Sequence, residues 1–293
     1  MGERIEDRLR GKVCSVKEDD FEGKFFRIRK TLAQMRTGPV GEYIKKHLNS
    51  WITGTLPNIE ALSEQETRHV NFRPEEAIFV DTETLGLAYI NPIFLVGYSY
   101  VKSKTVVVDL LLARTPLEEE AMLRYFNRFS GKFKYMVSYN GLRFDNRRLV
   151  VRNRSYQIDW EWPDRNHLDL YKFIHPFIKH HLDKKNNDNK KKRKTSKLGD
   201  VERIFFGLER EEDLPSAEVP KAYEEYIYGG NPDNLLKAIT HNDIDVVSLV
   251  ATYLRILIDP KFRPRIQEYK KRRGWNVKKS AAASDQADQT DCR

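Results

Sequence analysis

The feature that most constrains this chain is the alternation of strand and helix signals between residues 77 and 170. Ala77–Asp81 (AIFVD) is a short apolar run ending in a carboxylate. Ile93–Val101 and Thr105–Leu112 are β-branched and aromatic runs separated by Lys102-Ser103-Lys104. Two such runs with so short a connection read as paired strands. Pro116 suits the first turn of a helix, PLEEEAMLRYFNRF, with Leu117, Met122, Leu123 and Phe126 on one broad face. Lys134–Tyr139 reads as the next strand, Asn140-Gly141 as a turn, Phe144–Arg152 as a helix and His167–Leu170 as a fifth short strand. Three strands, a helix, a strand, a helix and a strand predict an α/β fold, a mixed five-stranded sheet flanked by helices.

Helical patterns resume at Leu198–Phe206, Lys221–Tyr228 and Pro232–Leu257, where Pro232 suits a first turn behind the Gly229-Gly230 break. Residues 1–72 are patterned more weakly, and Gly41–Trp51 is their best amphipathic helix. The expected division is an N-terminal accessory region over 1–72 and a domain over 73–260 with a basic loop (183–197) inserted. A basic segment and tail over 261–293 follow. Tyr223, Tyr226 and Tyr228, at helical spacing in an acidic stretch, read as packing residues.

Charge is unevenly placed. The 52 Lys+Arg against 43 Asp+Glu give a net +9, but residues 184–197 carry +7 and residues 261–279 carry +8. The remainder is therefore at −6, a mildly acidic body with two cationic segments, which points to a polyanionic partner or to solvated lysine runs. Forty per cent hydrophobic residues, with Phe 15, Tyr 14 and Trp 4, suffice for a packed core. No run approaches the ~20 apolar residues of a membrane span, and the start, MGERIEDRLRGK, lacks an apolar signal core, so no membrane role is expected. Cys14 and Cys292 cannot make a Cys-x-x-Cys zinc site, and the expected compartment is a reducing cytoplasm.

Three groups of acids carry candidate chemistry. Asp81 and Glu83 stand at positions i and i+2 of an extended segment, so both carboxylates emerge on one side and repel unless a cation sits between them. Asp145 begins a helix, where the macrodipole alone is enough to favour an acid. His241 and Asp245, at i and i+4, share one helical face. Asp243, two residues from either, projects away from both and is expected to face solvent. Each group alone has an ordinary reading as surface or capping residues. Together, oxygen-only clusters of acids suit the hard cations Mg²⁺ or Mn²⁺. His180-His181 has no nearby cysteine or patterned acid to make a second metal site.

Taken in order, these motifs resemble the DEDD exonucleases of the ribonuclease H-like fold. The Asp-x-Glu of Asp81 and Glu83 stands where their first motif lies. Asn140 with Asp145 matches the second, and His241 with Asp245 the third, which places the chain in the DEDDh branch. The segment LGDVERIFFGLEREEDLPSAEVPKAYEEY, the HNDIDVVSL motif and the HLDLY stretch resemble in particular the YprB-type ribonuclease H-like exonuclease family, over roughly residues 77–257.

The resemblance implies a two-metal site. Asp81 bridges both ions, Glu83 and Asp245 complete the site of the nucleophilic water, and Asp145 reaches the second ion. His241 orients that water or accepts its proton. Thr84, Leu85 and Gly86 are expected at the terminal nucleotide, with Leu85 equally readable as core. Asn140 either holds sugar-phosphate or makes the turn that Asn-Gly favours, and Asp169 supports the site or is an ordinary strand-end acid. Lys190, Lys191, Lys192, Arg193 and Lys194, with the segment at 261–279 and its Tyr269 and Trp275, are candidate tracks for single-stranded nucleic acid. The expected activity is a metal-dependent 3′→5′ exonuclease on single-stranded DNA, in repair or replication. The alternatives are an exoribonuclease trimming RNA and a non-catalytic nucleic-acid-binding module, the latter disfavoured by four acids facing a polyanion. Residues 1–72 either bind a partner such as a helicase or clamp, or cap the sheet.

Overall fold

The computed structural model describes residues 4–18, 20–57, 70–160, 166–185, 196–211 and 214–272. Within them one mixed sheet contains β1 (Lys12–Glu18), β2 (Phe21–Thr31), β3 (Ala77–Thr84), β4 (Ile93–Lys102), β5 (Thr105–Leu112), β6 (Tyr135–Ser138) and β7 (Asn166–Asp169). Their order is β1-β2-β5-β4-β3-β6-β7. The five strands expected from sequence are β3 to β7. β3, β4 and β5 form an antiparallel meander, and β6 and β7 extend it in parallel from the other edge of β3.

The expected count of five is corrected to seven. Residues 12–31 form a hairpin whose second strand pairs antiparallel with β5, continuing the sheet past an edge that would otherwise present unpaired backbone groups. The signal was weak because β1, KVCSVKE, buries only Cys14 and Val16 and is otherwise mostly charged.

The helices are α1 (Ile5–Arg8), α2 (Gly38–Ile52), α3 (Glu119–Ser130), α4 (Asp145–Ser155), α5 (Tyr171–Lys185), α6 (Leu198–Phe206), α7 (Val219–Gly229), α8 (Asp233–Ile258) and α9 (Arg263–Arg272). Both sheet faces are covered. Ile78, Val80, Val96, Tyr98 and Leu111 pack with Met122, Leu123 and Phe126 of α3 and Leu149 of α4. On the other face Phe79, Val108 and Leu110 share a core with Val246, Leu249, Val250 and Tyr253 of α8. Ile44, Leu48 and Trp51 of α2 and Ala222 and Tyr223 of α7 belong to that same core, and both helices pack on α8. Tyr223 is buried, as expected of a packing residue, and its hydroxyl donates to the Ala113 carbonyl at 2.7 Å; Tyr228 is exposed.

Two placements differ from expectation. Asp243 is buried and paired with Lys30 of β2, because its flank of α8 packs toward the sheet, while the solvent side of the helix carries Lys237 and Thr240. Leu117 is 92 % exposed, because Pro116–Glu118 forms a 3₁₀ turn ahead of α3 and so leaves the helical projection that would have buried it. Among the described residues no helix is long and apolar enough to cross a membrane.

Candidate active site

β3 delivers the first two acids. It runs through Thr84, so Glu83 is held within the ladder opposite Leu95 rather than beyond the strand end. Side chains alternate along it: Phe79, Asp81 and Glu83 take the α8 side, and Val80 and Thr82 the other. Asp81 Oδ2 accepts from Asn242 Nδ2 of α8 at 2.7 Å.

Asp145 arrives from the opposite layer, at the first position of α4. Its Oδ1 accepts from the Thr82 hydroxyl at 2.6 Å and the Thr82 amide at 3.2 Å, which ties the start of α4 to the strand between the two β3 acids. The preceding turn takes a left-handed residue: Asn140 has φ +62°, a conformation asparagine tolerates, and its amide donates to Asp169 Oδ1 at 2.7 Å. Asp169, at the end of β7, also accepts from the Tyr171 amide. Asn140 therefore makes the turn, and Asp169 braces it.

α8 supplies His241 and Asp245, one turn apart, with His241 Nε2 at 3.3 Å from Asp245 Oδ2. Ligand atoms of Glu83, His241 and Asp245 all lie within 4.8 Å of one another. Arg210, which the sequence reading did not single out, closes this side. Its Nη2 donates to Asp245 Oδ1 and its Nη1 lies 3.1 Å from His241 Nδ1.

The electrostatics follow from this crowding. Burial, reinforced by Asp245, Asp145 and Glu83, holds the Asp81 carboxyl well above its usual range. Burial pushes Glu83 up to about 8, with His241 pulling it down and Asp245 and Asp145 adding to the rise. Asp145 is raised by burial against the Thr82 hydrogen bonds. Asp245 goes the other way: burial raises it, but Arg210 and His241 outweigh that and draw it down to about 2. Four acids gather with two arginines, Arg210 and Arg148, against them, and a carboxylate-rich donor set of this kind fits divalent cations.

Thr84 is buried, and its hydroxyl donates to the Gly86 carbonyl at 2.8 Å, while Gly86 takes φ +155° against the Asn91 side chain. Leu85 is half-buried against the core under α8, between its two readings. Beyond them Leu87 and Ile90 are exposed, at 89 % and 69 %, and Phe144 is exposed beside Asp145. Lys190, Lys191, Lys192, Arg193, Lys194, Trp275 and Cys292 lie outside the described residues. Besides Arg210, sequence reasoning missed Asn242 and Thr82. Both adjoin residues that it did find, Asp81 and His241, but neither has a spacing that announces its partner.

A family model for the RNase H superfamily matches residues 78–256, more than half of the chain and every one of these acids. The chain belongs to the RNase H superfamily. Over 192 residues it is 30 % identical to the uncharacterized protein YprB of Bacillus subtilis (strain 168), covering 63 % of this chain and 43 % of that one. The match thus spans less than half of the relative's length. Among solved structures, the family B DNA polymerase of the hyperthermophilic archaeon Pyrobaculum calidifontis aligns with a TM-score of 0.47 at 16 % identity, over 62 % of this chain and 24 % of that one. E. coli exonuclease I in complex with a dA16 oligonucleotide aligns at 0.36 and 18 %, over 66 % and 42 %.

Proposed function

We propose that this RNase H superfamily chain is a metal-dependent exonuclease that removes nucleotides from the 3′ end of single-stranded nucleic acid, with DNA the expected polymer. The observation that carries the reading is that Glu83, His241 and Asp245 bring ligand atoms within 4.8 Å of one another, with Asp81 and Asp145 near enough to act on the same carboxylates.

Asp81, Glu83, Asp145 and Asp245 would hold two Mg²⁺ or Mn²⁺ ions. When bound, such ions activate water and stabilise the oxygen that leaves. The protein's own groups do the rest. His241 orients the attacking water or takes its proton. Thr82 and Asn242 fix Asp145 and Asp81, so that the acids are in place before substrate arrives. The exposed Leu87, Ile90 and Phe144, with Arg143 over the Phe144 ring and Arg147 over that of Tyr89, form an apolar and cationic rim suited to unpaired bases and their phosphates. The lysine run at 190–194 belongs to the same reading as a further backbone track. Residues 12–31 and 38–52 complete the sheet and cover α8, which supports a capping role for the N-terminal region over a helicase-docking one.

The test is hydrolysis of 5′- and 3′-labelled DNA and RNA oligonucleotides with Mg²⁺ or Mn²⁺. Asp81→Ala and Asp245→Ala are expected to abolish laddering while leaving the chain folded, and His241→Ala to lower turnover by roughly 10²–10⁴-fold. A fully active Asp81→Ala sinks the proposal, and a preference for RNA reassigns the polymer.

A further inference from the structure

Arg210 reaches the site by an unusual route. α6 ends at Gly207, which takes φ +71°, and the amides of Gly207 and Leu208 donate back to the carbonyls of Arg203 and Glu202. That reversal turns the chain back along α6, and Arg210 comes to lie against Glu202, a residue of α6 with no exposed surface. The two make a bidentate pair, Nε to Oε2 at 2.7 Å and Nη2 to Oε1 at 2.5 Å. With the fork locked on Glu202, the guanidinium plane is fixed, and its remaining donors meet Asp245 Oδ1 and His241 Nδ1.

Two consequences follow from donor chemistry alone. A guanidinium has only N–H donors, so His241 Nδ1 must accept, and the neutral ring carries its proton on Nε2, the nitrogen beside Asp245 Oδ2. Asp245 Oδ1 is taken by Arg210, which leaves Oδ2 as the oxygen on the His241 side. We infer that Arg210, braced by Glu202, is a positioning residue that sets the tautomer of His241, aims its Nε2–H at Asp245 Oδ2 and limits Asp245 to that one oxygen for a metal ion. The inference rests on the nuclease reading for its role in turnover, but not for its geometry.

The test uses the full chain with Arg210→Ala and Arg210→Lys. Should Glu202, left buried by the alanine, prevent folding, the neutral pair Glu202→Gln with Arg210→Gln replaces it. Imidazole ¹⁵N NMR is expected to show the Nε2–H tautomer of His241 in the wild type and a mixture in the variants. Calorimetric titration with Mn²⁺ is expected to tighten several-fold when the competing cation is removed. Turnover of a single-stranded oligonucleotide is expected to fall about 10–100-fold, the usual effect of losing a residue that orients a metal ligand, with KM little changed. Guanidinium ion added to Arg210→Ala restores part of the turnover, and Arg210→Lys, lacking the fork, behaves like the alanine. Folded variants with the wild-type tautomer and turnover overturn the inference, as does Mn²⁺ binding that weakens in step with activity. A wild type that binds Mn²⁺ and cleaves nothing overturns the nuclease reading alone, and the NMR and calorimetry then decide on Arg210.

Discussion

At Gly97 the site has no room for a methyl group. Gly97 pairs with Asp81 across β3 and β4, and a Cβ there would sit 1.8 Å from Asn242 Oδ1. The missing side chain lets the Asn242 amide lie over β4 and present its Nδ2 to Asp81. Among the described residues the buried Oδ1 has no hydrogen-bond partner, a cost of about 1–3 kcal/mol, offset by the carboxylate that the amide orients. Gly97→Ala is expected to lower oligonucleotide turnover by about 10–100-fold, as loss of an outer partner of a metal ligand does; wild-type turnover in a folded Gly97→Ala argues against the arrangement. Asp169 offers a test by pH. Burial pushes it up to about 6, against the pull of the Asn140 and Tyr171 amides. A carboxyl whose value is raised by folding stabilises the fold below its ordinary value near 4, and that contribution is lost as pH climbs through about 6. Asp169→Asn keeps an acceptor for both amides, so it should gain on the wild type by up to about 3 kcal/mol between pH 4 and 7. Urea unfolding at the two pH values reads the change, and a pH-independent difference counts against it. The acids themselves were legible because i, i+2 on a strand and i, i+4 on a helix are fixed by backbone geometry. Arg210 was not, since a side chain on a loop acquires its partners only through the path of the chain.

Among the elements, α4 and the turn before it sort their arginines by face. Arg148 and Arg152, four residues apart, turn inward, donating to the carbonyls of Leu87 and Ile90, and Arg152 also pairs with the buried Glu119. They pin the loop that follows β3. Arg143 and Arg147 stay exposed over the rings of Phe144 and Tyr89. Replacing both with Gln is expected to weaken binding of a single-stranded oligonucleotide and to make its log–log salt slope shallower by about 1.4, or roughly 0.7 for each phosphate no longer neutralised. An unchanged slope returns these arginines to solvent. β4 and β5 could be read directly because strands covered on both faces become continuous apolar runs. The start of α3 was misread at Leu117 because a 3₁₀ turn and an α-turn share the same proline signal.

For the whole molecule, the hairpin was hard to see in the sequence while α2 was legible there as Gly41–Trp51, and the two hold much of the structure together. Phe26, Ile28, Val40, Ile44, Leu48 and Trp51 all lie in the core that contains α8. A chain lacking residues 1–72 is expected to lose cooperative urea unfolding, since it exposes the β5 edge and the outer side of α8 together. A truncated chain that unfolds in one sharp transition would restore the view of this region as detachable.

Asp243 and Asp245 are separated by roughly 200° around α8. One is tied to Lys30 on the hairpin and the other to Arg210 on the loop after α6. A helix gripped on opposite flanks cannot roll about its own axis, so the aim of His241 is set partly from the far side of the molecule. The hairpin then acts as part of a clamp, and a substitution at Lys30 can disturb the chemistry without approaching the substrate.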